Sequence, residues 1–496
     1  MRGFLIGFAA GSVFLVVELL GRIVAGVPTL PELVQDRLVL LMPGPIFSFV
    51  LDHLLYLGKP LLFVGLLVGQ LILAGVGGVV VDRWPRPFVV GGIFWLFTGL
   101  FVLPVAGQGV FAGDFGVALA TLLAYLGYAL VLAFYRHESV LDASDSSPTK
   151  CASLVETSTG RRLLVGSALS LLASAVLGKM VIGVVPSLPG SGEQTGGLAN
   201  IGPQWPTPIT PVNDFYVVSK NLVDPQVNLS TWRLTVGGMV DQTLVLTYDD
   251  VRAMPRQETT RTLECISNDV GGNLMSTGRW TGVRLADVLQ KAGVLSSATK
   301  LYFSSADGYS ETMPLATAMD PNTLLVYLLD GEQLPDKHGF PLRVLNTGTY
   351  GMKNPKWLTG IQVAKSAPIG YWEGQGWSSQ AIVQTMSRID FPADGSIVRL
   401  SGVLVGGVAF AGARGIKQVE LSTDGGSTWL PTTLQPSLGL QTWTFWSVRW
   451  QPPRPGRYPL VARATDGTGQ VQTDRRAAPF PNGATGYHRI SLQVIT

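Results

Sequence analysis

The sequence predicts a multi-domain protein in which an N-terminal all-α transmembrane helix bundle precedes an α+β domain and a C-terminal β-sandwich. Three observations support this prediction. The chain of 496 residues is too long for one ordinary domain. Its charged fraction of 14% lies well below the roughly 25% of a typical soluble protein, and its mean hydropathy is +0.31. The long apolar segments all lie in the N-terminal part, whereas the remainder has the composition of a soluble globular protein.

Charge and rare residues exclude several classes of protein. The 36 lysines and arginines and 33 aspartates and glutamates give a net charge of +3 without a dense basic block, so no nucleic-acid partner is expected. The two cysteines, Cys151 and Cys265, exclude a disulfide scaffold and a four-thiolate metal site. Four histidines leave little for haem or metal ligation.

Five segments are predicted to cross the membrane as helices. Three of them contain no charged residue over the length that a helix needs to cross hydrocarbon: 60–81, 88–106 and 115–135. Residues 4–20 contain only Glu18 and residues 163–185 only Lys179, so both are expected to span with modest snorkelling. Residues 38–57 are interrupted by Pro43-Gly44-Pro45, which favours a re-entrant or interfacial segment and leaves a sixth crossing open.

Lysines and arginines predict the orientation of these helices. With the N-terminus inside, the cytoplasmic segments hold seven basic residues and the outer segments three. Residues 1–136 then form a bundle of about four helices, 137–162 a flexible cytoplasmic linker and 163–185 the fifth helix. Everything after residue 185, beginning with a second linker at 186–206, is expected outside the cytoplasm, anchored to the cell membrane.

The soluble part changes its pattern near residue 385. Between 207 and 384, short β-rich runs at 232–236, 244–247 and 300–304 alternate with a helical stretch at 285–292, which indicates an α+β domain. Residues 385–496 show strands alone, separated by turns such as Asp424-Gly425-Gly426. The predicted strands are 397–405, 416–422, 443–450, 458–465 and 487–494, a spacing typical of an immunoglobulin-like β-sandwich.

Cys265 is the most informative residue of the α+β domain, and by itself it is ambiguous. A lone cysteine is often a buried small hydrophobe. The chain has no Cys/His spacing for zinc, no Gly-x-Ser-x-Gly elbow and no glycine-rich dinucleotide fingerprint. The residues alone therefore predict a membrane-anchored α+β domain with a β-sandwich and do not name its chemistry.

A set of motifs adds a resemblance that covers nearly all of the soluble part. The α+β domain contains, in order, PVNDFYV (211–217), TLEC (262–265), RWTGV (279–283), HGFPLR (338–343), YGMK (350–353) and KWL (356–358). The sandwich contains STDGGSTW (422–429) and GATGYH (483–488). In this order the motifs resemble the sulfite oxidase family of molybdopterin-dependent oxidoreductases, in a membrane-anchored bacterial-type subgroup.

The resemblance implies a molybdenum centre held by one molybdopterin, with Cys265 as the protein thiolate on the metal. It also implies that cationic side chains bind the pterin phosphate. The cofactor-binding residues carried over in this way are Asn213, Tyr216, Val217, Cys265, Ser305, His338, Arg343, Asn354, Pro355 and Lys356. An alternative for Arg343 and Lys356 is a surface ion pair. Trp280 and Trp357 are expected to pack in the core.

The substrate side departs from the family pattern. True sulfite oxidases carry an arginine-rich pocket and a tyrosine near molybdenum. Here the segment after Cys265 contains Asp269 and no arginine. Lys220 occupies a position where an arginine is expected, and Trp377 replaces the tyrosine. Sulfite is therefore not the expected substrate. The expected reaction is a two-electron oxygen-atom transfer on another small molecule. An S-oxide or N-oxide reductase and a non-catalytic membrane binding or sensor protein are the alternatives.

The resemblance also bears on partners and export. A separate electron carrier, either a cytochrome or a quinone, is expected, and the sandwich allows a homodimer. Arg161-Arg162 opens the fifth helix and resembles a twin-arginine export signal, with positive-inside anchoring as the alternative.

Overall fold

A computed structural model of the protein describes residues 2–25, 27–42, 58–106, 109–112, 115–144, 205–221 and 224–496. These residues form two compact units, an N-terminal helical unit and a C-terminal unit rich in β-structure. The predicted fifth membrane helix, the Arg161-Arg162 pair, and most of both predicted linkers lie outside the described residues, as does most of the interrupted segment 38–57.

The N-terminal unit contains the helices that the hydropathy pattern predicts. Its helices are α1 (Arg2–Ala25), α2 (Leu30–Leu41), α3 (Gly58–Arg83), α4 (Pro87–Phe97) and α5 (Phe115–Ser144), and α4 continues through a π-helical turn at Thr98–Val102 into Leu103–Val105. Four stretches are long and apolar enough to cross a membrane: Gly3–Arg22, Leu61–Arg83, Pro87–Val105 and Phe115–Tyr135. The first four predicted segments are therefore confirmed as helices of membrane-spanning length.

Three features of this unit differ from the prediction. Glu18 does not snorkel: it is buried and accepts hydrogen bonds from Gln70 Nε2 at 2.8 Å and from the Leu30 amide at 3.0 Å. Helix α2 was not predicted, although Thr29 and Glu32 bond each other's amides as a capping box. Helix α5 continues to Ser144, into the predicted linker, because no glycine or proline interrupts it there.

The first part of the C-terminal unit is an α+β region built on two sheets. Its strands are β1 (Leu234–Gly238), β2 (Leu244–Leu246), β3 (Arg256–Glu264), β4 (Met275–Arg284), β5 (Lys300–Ser305), β6 (Ser310–Pro314), β7 (Leu324–Leu329), β8 (Glu332–Gln333), β9 (Arg343–Leu345) and β10 (Leu358–Ala364). Its helices are α6 (Tyr248–Arg252), α7 (Leu285–Ala292) and α8 (Leu315–Ala318). One sheet has the order β2-β1-β10-β5-β6, and the other has the order β3-β4-β7-β8 with β9 also paired to β7.

Helix α7 shows how sequence and packing agree in this region. Its buried residues Leu285, Val288, Leu289 and Ala292 follow the helical period and join the main core with strands of both sheets. Gly293, at a φ of 71°, ends the helix. The helix has the predicted bounds, and Trp280 and Trp357 are fully buried core residues as expected.

The second part of the C-terminal unit is all strand. It contains β11 (Met386–Phe391), β12 (Ile397–Arg399), β13 (Val403–Phe410), β14 (Ile416–Ser422), β15 (Leu430–Pro431), β16 (Thr433–Leu434), β17 (Thr444–Trp450), β18 (Gly456–Asp466) and β19 (His488–Ile495). Two sheets, β11-β13-β17-β16 and β12-β19-β18-β14-β15, share one core centred on Trp446. The predicted strand 397–405 is two strands in different sheets, because the chain turns at Ser401-Gly402.

Candidate active site

Cys265 lies where β3 ends and a loop returns the chain to β4. The Cys265 amide donates to Leu274 O at 2.9 Å, so the loop is closed at its base. Asn268 fixes the loop from inside, since its Nδ2 donates to Glu264 Oε1 and its Oδ1 accepts from the Leu274 amide, both at 2.9 Å. The Cys265 side chain is held in one place with its Sγ 2.9 Å from Ser267 Oγ.

The environment of Cys265 does not resemble that of a nucleophilic cysteine. Burial raises the pKa of the Cys265 thiol, whereas nucleophilic cysteines have a lowered pKa. Among the described residues no group of three or more histidines, cysteines, aspartates and glutamates is placed to hold a metal ion. In the described chain a metal at Cys265 would therefore need ligands that are not protein side chains of these types.

A cationic wall, formed by His338, Arg343 and Lys356, is the second feature of the site. Arg343 is buried, donates to His338 O at 3.1 Å and to Asn354 O at 3.3 Å, and lies over the Trp280 ring. Lys356 Nζ donates to Lys337 O at 2.9 Å. Within the described chain neither cation forms an ion pair with a carboxylate, so the surface ion pair considered for them is wrong.

The described carboxylates balance the charge of this wall only in part, since Asp224 and Asp307 act on Lys356 without forming an ion pair with it. Burial and the nearby cations lower the pKa of His338 to about 3, so its ring is neutral. Removal from water lowers the pKa of Arg343 to about 10 and of Lys356 to about 8. Both groups remain positively charged at neutral pH, and Arg343 Nε and Ser305 Oγ are buried without a partner in the described part of the chain. Buried charges and donors of this kind call for an anion.

Two glycines allow the segments that carry Arg343 and Lys356 to pack close to the end of β3, which precedes Cys265. A Cβ on Gly351 would lie 2.8 Å from Tyr216 Oη and 3.4 Å from Glu264 O, so glycine allows this approach without a shift of the Tyr216 side chain. Gly339, at a φ of 106°, packs directly on Lys356. The turn that carries Asn354, Pro355 and Lys356 is thereby held next to Tyr216 and the residue before Cys265.

The remaining predicted cofactor residues lie on the same segments. Tyr216 is fixed by a bond from its amide to Ser276 Oγ at 3.0 Å, and Val217 follows it. Asn213 is exposed, and its carbonyl accepts from Lys337 at 3.4 Å. Asn354 is buried and bonded to Tyr350 O at 3.0 Å, and the Pro355 carbonyl accepts from the Val344 amide at 2.9 Å. The roles of these residues stay predictions.

The two predicted substrate-side residues have different neighbours. Trp377 is buried and packs edge-on against Phe480 at 5.2 Å. Lys220 instead lies 5.4 Å from the Tyr371 ring and 3.9 Å from Asp307 Oδ2. The residue that the structure places beside Lys220 is thus Tyr371, which was not predicted although it lies only six residues before Trp377.

Comparison with known proteins identifies the domain that carries these residues. The family described as "Oxidoreductase molybdopterin binding domain" matches residues 221–372. Mitochondrial sulfite oxidase of Mus musculus is 32% identical over 339 residues, which cover 58% of this chain and 62% of that protein. The uncharacterized oxidoreductase YuiH of Bacillus subtilis is 35% identical over 150 residues, which cover 30% of this chain and 74% of YuiH.

A solved structure supports the fold. The sulfane dehydrogenase SoxCD from Paracoccus pantotrophus matches with a TM-score of 0.51 at 23% identity, covering 57% of this chain and 80% of that one. The family match, on a fold that the solved structure shares, defines a molybdopterin-binding oxidoreductase domain at residues 221–372. The chain belongs to the sulfite oxidase family of molybdenum-dependent oxidoreductases, which confirms the predicted family and its cofactor, molybdenum held by molybdopterin. It spans 62% of the length of the mouse sulfite oxidase that it matches.

Proposed function

We propose that this protein is a membrane-anchored molybdopterin-dependent oxidoreductase that catalyses a two-electron oxygen-atom transfer on a small substrate, with Cys265 as the protein ligand of molybdenum. The observation that carries the proposal is the unbalanced positive charge of Arg343 and Lys356 close to the Cys265 strand. A pterin phosphate supplies the missing anion, and a soft thiolate is a ligand that suits molybdenum.

The residues on the site fit this group. Arg343 Nε and Ser305 Oγ are unpartnered donors, and Lys356 and neutral His338 add polar contacts on the same wall. In this assignment Tyr216, Val217 and Asn213 bind the pterin from a separate segment, and Asn354 and Pro355 hold the turn before Lys356 through their hydrogen bonds. Each of these residues binds or orients the cofactor in the proposed assignment.

When bound, the molybdenum centre supplies the redox change and the oxygen-atom exchange. The chain's own residues do the positioning. The closed loop 265–274 holds the Cys265 sulfur in place through Asn268, and Ser267 keeps a hydroxyl 2.9 Å from that sulfur. The buried aromatic and aliphatic shell around Trp280 and Phe215 keeps water away from this side of the site.

A specific observation favours the second candidate, reduction of an S-oxide or N-oxide. Lys220, the cation on the proposed substrate side, faces Asp307 at 3.9 Å, so its charge is partly neutralised. Sulfite is an anion and gains most from unpaired cations. A neutral oxide does not depend on an unpaired cation for its binding energy, so we favour an uncharged substrate over sulfite.

The wider organisation is proposed on the same basis. Residues 207–384 are the catalytic domain, 385–496 an immunoglobulin-like domain that allows a homodimer, and 1–136 with 163–185 the membrane anchor. The catalytic domain lies outside the cytoplasm and exchanges electrons with a separate cytochrome or quinone. A non-catalytic sensor is disfavoured, because binding a partner does not require buried unpaired cations beside a cysteine.

Turnover by the detergent-purified full chain tests this proposal. We expect reduction of S-oxides or N-oxides by a viologen donor, or oxidation of a small substrate by an artificial acceptor, and loss of all of it in Cys265→Ser. Lys417→Met, an exposed change on β14, serves as the control and should keep wild-type rates. Equal turnover in Cys265→Ser and wild type would contradict the proposal.

A further inference from the structure

We infer that Glu311, Lys353 and Glu373 form a buried carboxylate–lysine cluster that positions the segment 370–373 on the substrate side of the site. The catalytic meaning of the inference rests on the proposed function, but the positioning itself does not. The three residues come from separate segments: β6, the turn Gly351–Lys353 and the turn Glu373–Gln375.

Lys353 connects the two carboxylates directly. Its Nζ donates to Glu311 Oε1 at 2.8 Å and to the Glu373 carboxylate, and the side chains of Lys353 and Glu311 are 5% and 0% exposed. The Glu311 carboxylate accepts one further bond, from the Thr312 amide at 2.7 Å, and its Oε2 lies 3.1 Å from Tyr309 Oη. Charged groups so fully enclosed are costly unless paired, so each holds the others in place.

The cluster fixes the backbone that carries Tyr371. Glu373 Oε2 accepts from the Gly370 amide at 3.2 Å, and the Tyr371 amide donates to Ser310 O at 2.9 Å. A Cβ on Gly370 would lie 2.8 Å from Glu311 Oε1, so the segment passes directly over the cluster. Tyr371 is thereby held 5.4 Å from Lys220 and 5.7 Å from Tyr309.

The same cluster reaches the cofactor side. Lys353 immediately precedes Asn354, Pro355 and Lys356 on the turn assigned to the pterin, and Tyr309 Oη donates to Met352 O at 2.7 Å. One buried lysine therefore joins the proposed pterin turn to the proposed substrate segment. Lys353, Glu311 and Glu373 are positioning residues in this view, since they act through Tyr371 and Lys220.

Charge balance makes the cluster sensitive to pH. Burial raises the pKa of Glu311 to about 7. Burial also raises the pKa of Glu373, but the hydrogen bond and charge of Lys353, together with the bonds from the Gly370 amide and Glu311, outweigh it and lower that pKa. The groups that face Glu311 are Lys353, Glu373 and Tyr309, with Asp307 bonded to the Tyr309 amide. Below about pH 7 the cluster consists of the Lys353–Glu373 ion pair and a neutral Glu311. Above that pH Glu311 is ionised, and a second negative charge is buried.

The sign of the effect follows from this raised pKa. A group whose pKa is raised by folding stabilises the folded arrangement at low pH and loses that contribution as the pH rises through the raised value. The segment 370–373 should therefore open more easily above pH 7. Glu311→Gln, which keeps the shape without the charge, should remove this dependence.

Hydrogen exchange measured by mass spectrometry on the detergent-purified full chain tests the inference. We compare the peptide 369–377 at about pH 6 and about pH 8, after correction for intrinsic exchange, with strand β14 as the internal reference. Wild type should lose protection by about tenfold at the higher pH, and Glu311→Gln should stay protected at both. Lys353→Met and Glu373→Gln should be unprotected at both, and the exposed control Glu332→Gln should match wild type.

A kinetic readout separates positioning from a merely structural role. With a substrate identified by the turnover screen, Glu373→Gln should raise KM by about fivefold or more with kcat within about twofold, and its molybdenum content should equal that of wild type. Unchanged protection in Glu373→Gln, or persistent pH dependence in Glu311→Gln, would overturn the inference. If Lys353→Met does not fold, the results for Glu373→Gln and Glu311→Gln decide whether the cluster positions the segment 370–373. If wild type contains no molybdenum, the proposed function fails, while the exchange result still decides the positioning.

Discussion

Arg343 and Lys356 place two positive charges where the described protein provides no ion-pair partner, although Asp224 and Asp307 act on Lys356 from a longer distance. A protein accepts this cost when a bound group offsets it, and in the proposed assignment an anionic cofactor does so. The surrounding hydrogen bonds run to carbonyl oxygens, which orient the cations without neutralising them.

Lys356→Met tests this charge at the residue scale. Removal from water lowers the pKa of Lys356 to about 8, below its ordinary value, so in cofactor-free protein the unfolded state binds the proton more tightly. The melting temperature of cofactor-free protein should therefore rise as the pH increases from about 8 to about 10, and this rise should be absent in Lys356→Met. Thermal melts of protein from a host that makes no molybdopterin give the answer.

An exposed lysine provides the control for the Lys356→Met melts. Lys417→Met removes an exposed lysine of β14 and should keep the wild-type profile. A profile in Lys356→Met that matches wild type would show that this ammonium is not the group under strain.

The residues of the proposed site can be named from the sequence more fully than their neighbours, and their roles stay predictions. Cys265, Arg343 and Lys356 stand in recognisable motifs, and the structure brings their segments together. Tyr371 and the Glu311–Lys353–Glu373 cluster could not be predicted in the same way, since their meaning depends on contacts between segments far apart in the chain. A charged residue in a β-rich stretch normally points to water, and Glu311 does not.

At the scale of elements, prediction was best where the pattern is local. Helix α7 has the predicted bounds because its apolar period and its terminal glycine lie within ten residues. Strand β11 and the split between β12 and β13 were missed, because which sheet a strand joins is set by pairing with distant strands such as β17 and β19. Helix α2 was not predicted, since its 12 residues are too few to cross a membrane and its main signal is the local Thr29–Glu32 capping box.

Gly293→Ala tests the end of helix α7. Gly293 has a φ of 71°, and a Cβ there would lie 2.3 Å from Asp241 Oδ2, so alanine adds a clash to backbone strain. Gly331, in the turn between β7 and β8, has a φ of 87° with no atom near the added Cβ. Gly331→Ala should cost about 1 kcal/mol of stability and Gly293→Ala more than about 2 kcal/mol.

Melting temperatures of the two variants in the same detergent check this ordering. The larger decrease belongs to Gly293→Ala if packing against Asp241 matters as the structure indicates. Equal decreases in both variants would mean that the left-handed backbone alone determines the cost.

At the scale of the whole molecule, composition predicted the division into a helical and a β-rich unit. The hydropathy of four segments was enough to place four long helices. The interior role of Glu18 was not predictable, because hydropathy cannot tell a charge that reaches water from one that is bonded inside a bundle. Within the C-terminal unit, the strand region supports the cysteine loop: Arg388 donates to Gly272 O at 2.7 Å, and Trp443 N donates to Thr262 Oγ1 at 2.8 Å.

These contacts join the all-strand region to both ends of the segment that carries Cys265. The loop is thus held by its own Asn268 from inside and by Arg388 from the neighbouring sheet. The proposed role of Cys265 as a metal ligand calls for such support, because the geometry of a ligand must persist while the cofactor changes oxidation state.

The molybdenum and pterin content of the purified full chain tests the central claim most directly. Elemental mass spectrometry with pterin release should give about one molybdenum and one molybdopterin per wild-type chain. Cys265→Ser should lose the metal while Arg343 and Lys356 retain much of the pterin. Folded wild-type protein with neither metal nor pterin, or a Cys265→Ser variant with undiminished molybdenum, would contradict the account.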